Sequence, residues 1–126
     1  MPKLYTKSGD SGITRLYDGT KIQKSSYIFD VLGNIDELSS QIGILCTLIL
    51  SHDQDLENIK ILESYLRIIQ IHLLHIGSYM SIQHNNKKKE KFNTITQKDI
   101  TEIEGWIDKC ESKNTKLTSF LLPGTR

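Results

Sequence analysis

Apolar residues Leu32, Ile35, Leu38, Ile42, Leu45 and Ile49 recur at steps of three or four, the period of an amphipathic helix. They predict a first helix from roughly Tyr27 to Leu50. The polar stretch from Ser51 to Asp55 follows, with N-cap candidates and acids suited to the positive end of a helix, so a second helix is expected to start near Asp55. That helix carries two stripes. Leu56, Ile59, Leu62, Leu66, Ile69, Leu73, Ile76 and Met80 form one, and Ile61, Tyr65, Ile68, His72, His75 and Tyr79 the other. Two stripes imply neighbours on two sides, as in the middle of a bundle or at a subunit boundary, with Gly77 and Ser78 permitting close approach. Residues 83–91 are polar and basic and read as a solvated excursion. Thr96 with Asp99 is an acidic variant of the capping box, and Ile100, Ile103, Ile107 and Cys110 continue as the stripe of a third helix ending near Ser112. The tail KLTSFLLPGTR turns apolar at Phe120, Leu121 and Leu122 before Pro123 and Gly124 punctuate it. Strand is expected only in the first few residues. There is no internal repeat, and the pattern as a whole predicts an all-α bundle preceded by an N-terminal loop.

Composition narrows the function classes. A chain of 126 residues with 37% hydrophobic content is the size of one domain with a core that needs no staples. Net charge is +1, from 16 basic and 15 acidic residues, which argues against a surface built to coat nucleic acid or anionic lipid. Cys46 and Cys110 lie far apart within helical patterns, where they form neither a metal knuckle nor a disulfide framework; both read as small core residues in a reducing compartment. No apolar run reaches the roughly 18 residues of a membrane helix, and no signal or transit peptide is expected ahead of the loop. His72 and His75 stand three apart with no third ligand evident, and are expected to be hydrogen-bonded rather than metal-bound.

The chemistry is concentrated before the first helix. Residues 4–24 read LYTKSGDSGITRLYDGTKIQK. Gly9, Gly12 and Gly19 let backbone amides approach a ligand, Thr6, Ser8, Thr14 and Thr20 add short donors, and Lys7, Arg15, Lys21 and Lys24 add positive charge. This is equipment for holding a polyphosphate, although the same composition also suits an exposed turn. The GxxxxGK[ST] string of a Walker A loop is absent, and Gly9 to Gly12 follows no buried strand of the dinucleotide-binding kind.

Four motifs in order resemble the PduO-type corrinoid adenosyltransferases. YTKSGDSGITRLYDG with Lys24 after it is similar to the family's ATP-binding loop; LGNIDEL from Leu32 resembles its G-x-x-D-E-L; IQIHLLHIGSYMS from Ile69 resembles I-Q-x-x-L-F-x-I-G-S-x-L-A, with Leu74 in the phenylalanine position; FLLPG from Phe120 resembles F-[IV]-L-P-G-G. Together they cover nearly the whole chain. The resemblance implies an up-and-down helical bundle, five helices per subunit in a trimer, of which about three are expected here. Family members continue past PGG into two helices with an arginine-rich segment and a late asparagine, whereas Thr125 replaces the second glycine here and Arg126 ends the sequence. The chain is therefore expected to be a single adenosyltransferase-like domain over residues 1–126 that lacks those helices, as a fragment, an incomplete product or a degenerate member.

The resemblance also implies an activity: transfer of the 5'-deoxyadenosyl group of ATP to cob(I)alamin, with triphosphate leaving. Lys7 and Lys24, with amides around Gly9 and Gly12 and a Mg2+ ion, would stabilise the leaving charge. Thr6, Ser8, Ile13 and Thr14 complete the nucleotide loop. Asp10 is expected to accept from a backbone amide and fix the loop, the alternative being contact through a magnesium-bound water. Asp36 would help shape the corrinoid pocket across a subunit boundary; read alone, Asp36 and Glu37 are solvated helix acids. Phe120 resembles the aromatic that crowds the lower face of the corrin and displaces its axial base; read alone, it is core packing. The implied partners are ATP, the corrinoid, further copies of the chain as a homotrimer, and a cobalamin reductase or acceptor enzyme, in a cytoplasm or mitochondrial matrix. A non-catalytic ATP-binding helical module is the alternative reading.

Overall fold

The computed structural model describes residues 5–51, 56–82, 86–92, 94–116, 118–120 and 122. Leu121, Pro123, Gly124, Thr125 and Arg126, which carry most of the final motif, lie outside the described residues. Among the described residues the elements are β1 (Ile13–Arg15), β2 (Lys21–Gln23), α1 (Tyr27–Leu50), α2 (Leu56–Met80), a short 3-10 helix (Lys87–Lys91) and α3 (Gln97–Ser112). The chain divides into two compact units, Met1–Ile95 and Thr96–Arg126. The expected helical fold is observed.

In the first unit, α1 begins after Ser26, whose extended backbone (φ −68°, ψ 136°) supplies an N-cap without a side-chain bond, and it carries Asp30 in its first turn. It stops at Ser51, where the hydroxyl donates to the carbonyl of Leu48 at 2.6 Å. Ile42 and Cys46, one turn apart, are the buried positions of α1. α2 packs along it. Gln70 on α2 donates from Nε2 to the carbonyl of Ser39 inside α1 at 2.8 Å, a polar tie between two otherwise apolar faces. Both stripes of α2 are half-buried over much of their length, while Ile61, Leu62, Ile71 and Leu74 stay exposed. The close approach expected at Gly77 is not a steric demand. A Cβ there would sit 3.9 Å from Leu32 and Ile35, an ordinary van der Waals distance.

The strand expected in the first few residues falls in part on residues 1–4, which lie outside the described residues. Among the described residues strand lies inside the glycine-rich loop, where β1 and β2 pair antiparallel with Thr14 opposite Ile22. Leu16, at the start of the connecting turn, is buried. The basic excursion is also partly ordered. Residues 87–91 form a 3-10 helix, and the ammonium of Lys89 lies 4.3 Å over the ring of Tyr79.

In the second unit, α3 starts with the expected capping box. Thr96 Oγ1 accepts from the Asp99 amide at 3.3 Å, and Asp99 Oδ2 accepts from the Thr96 amide at 2.7 Å. Trp106 is buried. Ile100, Ile107 and Cys110 are exposed while Ile103 is half-buried, so the predicted stripe is covered only in part and Cys110 is not a core residue, whereas Cys46 is. Among the described residues no helix is long and apolar enough to cross a membrane.

Candidate functional site

The loop is shaped by a succession of tight turns. Thr6 and Ser8 hydroxyls bond each other at 2.8 Å, and the amide of Asp10 returns to the carbonyl of Lys7 at 3.2 Å. Lys7 itself takes φ 60°, the left-handed region that costs a non-glycine residue about 1 kcal/mol. The amide of Gly12 donates to the carbonyl of Gly9 at 3.2 Å. It is thus occupied within the turn, contrary to its expected part as a phosphate donor, whereas the amide of Gly9 donates to no described residue.

Lys24 crosses this turn. Its amide donates to the carbonyl of Gly12 at 2.8 Å, which extends the hairpin by one step, and its side chain folds back over Gly9. A Cβ on Gly9 would lie 2.9 Å from both Cε and Nζ of Lys24, closer than real side chains tolerate. The glycine is needed for that approach. Thr6, Ser8, Gly9, Gly12 and Lys24 are therefore gathered into one small structure, with Ile13 and Thr14 on the strand that continues from it.

Asp10 departs from its expected role. Its carboxylate is exposed and accepts from no amide among the described residues. It stands free to meet a ligand or the water shell of a cation, and it suits Mg2+, which keeps several waters and takes few carboxylates. No group of three or more His, Cys, Asp or Glu side chains among the described residues could hold a metal ion by itself. His72 and His75 are half-buried on α2.

The hairpin is docked beside a cleft. Between α1 and α2 runs a depression of about 310 Å³ lined by Leu32, Ile35, Asp36, Leu73, Gly77 and Ser81 among others. The carbonyl of Ser81, at its rim, accepts from the amide of Tyr17 in the hairpin turn at 3.1 Å. The turn of the hairpin, residues 16–20, thus abuts the rim of an apolar cleft bearing one carboxylate, while Gly9, Gly12 and Lys24 lie at the other end of the ribbon. Asp36 is exposed there. Glu37 instead accepts from Gln41, at 3.3 Å, along the helix surface. Phe120 belongs to the second unit and is fully exposed, so the core-packing alternative for it does not hold.

Asp18 and Ser81, which lie within the quoted motifs, and Asn86, which lies outside them, carry contacts that the sequence assigns no role. Asp18 Oδ1 accepts from the Thr20 amide at 2.9 Å, and Gly19 takes φ 89°, together making the hairpin turn. The Asp18-Gly19 pair is a strong short-range hairpin signal, and it stood in the sequence.

Residues 4–126 match the family model described as cobalamin adenosyltransferase. The chain is 34% identical over 125 residues to the human corrinoid adenosyltransferase MMAB, covering 98% of this chain and 48% of that protein. To the corrinoid adenosyltransferase of Citrobacter freundii it is 28% identical over 124 residues, 98% of this chain and 65% of that one. Its fold matches the solved structure of a variant PduO-type ATP:corrinoid adenosyltransferase from Lactobacillus reuteri complexed with cobalamin and ATP, with a TM-score of 0.81 at 28% identity, over 97% of this chain and 64% of that chain. The chain spans about half the length of the mammalian relatives it matches.

Proposed function

The chain belongs to the cobalamin adenosyltransferase family, and from that premise we propose that it transfers the 5'-deoxyadenosyl group of ATP to the cobalt of cob(I)alamin. In this reaction a cobalt–carbon bond forms as the C5'–oxygen bond breaks, and the electron pair leaves with triphosphate. Reduced cobalt is the nucleophile, so the protein's part is to orient the nucleotide and stabilise the departing charge.

The observation that carries the reading is the passing of Lys24 over the Gly9–Gly12 turn, on a hairpin whose own turn is tied through Tyr17 to Ser81 at the rim of the cleft. The phosphates of the nucleotide are assigned to the loop and the second substrate to the apolar cleft between α1 and α2. Lys24 and Lys7 are assigned to the triphosphate, Thr6, Ser8 and Thr14 to phosphate or ribose oxygens, and Gly9 to close approach, with its amide as a donor. Ile13 and Gly12 shape the loop. Asp10 is assigned to the water shell of a Mg2+ that enters with ATP. Asp36 is assigned to the corrinoid side, and Phe120 to the lower face of the corrin.

Residues 1–126 are proposed to act as one adenosyltransferase-like domain in a homotrimer that works with a cobalamin reductase or acceptor enzyme. Exposed apolar residues on α1 and α2 support self-association. Two free thiols, Cys46 and Cys110, support a reducing compartment, the cytoplasm or mitochondrial matrix.

The test is adenosylation with chemically reduced cobalamin and MgATP, followed by triphosphate release. Replacing Lys24 by Ala should weaken ATP binding about 10- to 100-fold, the loss of one charge-assisted contact of roughly 1.5–3 kcal/mol. Unchanged affinity in that variant overturns the assignment of the loop. Tight ATP binding without any adenosylation favours the non-catalytic module.

A further inference from the structure

The hairpin that carries the loop has three residues in each strand, and an isolated two-stranded ribbon of that size is marginal in water. Its geometry must be imposed from outside, and one carboxylate makes the connection. Asp18 uses Oδ1 to close its own turn on the Thr20 amide at 2.9 Å, and Oδ2 to accept from Nδ2 of Asn86 at 3.0 Å, 68 positions further along the chain. Beside it the amide of Tyr17 donates to Ser81, and the ring of Tyr17 meets Phe92 edge-on, centroids 5.3 Å apart at 85°. The receiving segment is itself ordered: the amide of Lys89 returns to the Asn86 carbonyl at 2.9 Å, and the amide of Phe92 to Lys89 at 3.2 Å.

We propose that Asp18 and Asn86 form a clamp that holds the nucleotide loop in its binding geometry, making both positioning residues for ATP. The proposal rests on the nucleotide reading given above. The turn sets the register in which Ile13 faces Gln23, and that register carries Lys24 to its place over Gly9. Holding the turn against the start of the 3-10 helix therefore fixes the ammonium at the other end of the ribbon before ligand arrives, and binding avoids the entropic cost of ordering it.

Electrostatics makes the proposal testable in sign. Asp18 is an acid among Lys7, Arg15, Lys21 and Lys24, and by Coulomb's law alone its neutralisation should strengthen polyanion binding. The clamp requires the opposite. Asp18→Asn keeps the acceptor for Thr20 but turns an amide donor toward the Asn86 donor. The swapped pair Asp18→Asn with Asn86→Asp restores one donor facing one acceptor at unchanged net charge.

MgATP titration of the full chain is to be paired with exchange of the Tyr17 amide in the nucleotide-free protein. In Asp18→Asn, affinity should fall about fivefold to tenfold and exchange should accelerate by a similar factor, as expected for loss of a hydrogen bond near 1 kcal/mol. The swapped pair should return both to within about twofold of wild type, the margin at which a coupled pair is distinguished from independent sites. Asn86→Ala, which leaves the turn intact, should show the same losses and serves if Asp18→Asn does not fold. Equal or tighter ATP binding in the single variants, or a swapped pair no better than they are, overturns the clamp. A wild-type chain that does not bind MgATP overturns the nucleotide reading instead, and the clamp is then decided by the exchange rates alone.

Discussion

Lys24 lies across Gly9 so closely that a methyl group on Gly9 would meet Cε and Nζ at 2.9 Å. The obstructing atoms are the far end of a flexible side chain, and the backbone of Gly9 is not in the left-handed region. Gly9→Ala should therefore leave thermal stability within about 1 kcal/mol of wild type while displacing the ammonium. ATP affinity should fall about tenfold, one charge-assisted contact weakened rather than abolished. Calorimetric titration beside thermal unfolding checks the split, and a large stability loss with unchanged affinity would remove Gly9 from the site.

Gln70 is a polar tie between α1 and α2. Its Nε2 donates to Ser39 at 2.8 Å while its Oε1 accepts from Arg67 at 3.2 Å. Gln70→Leu keeps the approximate volume and removes both bonds. Because the Ser39 carbonyl lies within α1, the expected loss is about 1 kcal/mol, or roughly 3–5 °C in midpoint for a chain of this size. No loss at all in thermal unfolding would mean that this bond does not help to hold the two helices.

α1 was legible because 24 residues give the apolar period many turns in which to declare itself, and the Thr96–Asp99 box was legible because capping is local. The hairpin was not. Strands of three residues offer too few positions for alternation to be seen, so glycine and hydroxyl content masked the turn signal at Asp18-Gly19. The loop's chemistry was readable from residue types, yet the passing of Lys24 over Gly9 and the reach of Asp18 to Asn86 depend on tertiary placement. Cys110 shows the same limit. Periodicity identifies a face of a helix but not whether anything covers it.

Thr96 and Asp99 satisfy each other's amides at the start of α3. Thr96→Ala removes one half of the box and should destabilise the helix by about 1 kcal/mol. The effect is local, so hydrogen exchange of the Asp99 amide should accelerate by about fivefold, the equivalent of that energy. Protection unchanged at Asp99 would show that the box is not what holds this end.

The two thiols differ in exposure: Cys46 is wholly buried and Cys110 exposed. A water-soluble disulfide reagent should titrate one thiol per native chain at once and the second only as the chain opens or in denaturant, since modification needs an accessible thiolate. Cys110→Ser should abolish the fast phase. Two fast thiols in the native protein would place Cys46 outside the α1 core.

Self-association is predicted by the surface of α1, where Ile44, Leu45 and Leu48 lie within one turn of each other and are 62%, 43% and 56% exposed. A cluster of large aliphatic residues in water at that density marks an interface or an aggregation surface. The chain should therefore sediment as a species larger than its 14.4 kDa monomer. The paired change Ile44→Lys and Leu48→Lys should shift it toward monomer without loss of helicity, because lysine is a good helix former and the positions are already exposed. A monodisperse monomer in the unaltered chain would rule out the proposed trimer for it and leave this face solvated. A variant that still assembles would move the interface to α2, where Ile71 and Leu74 are also exposed.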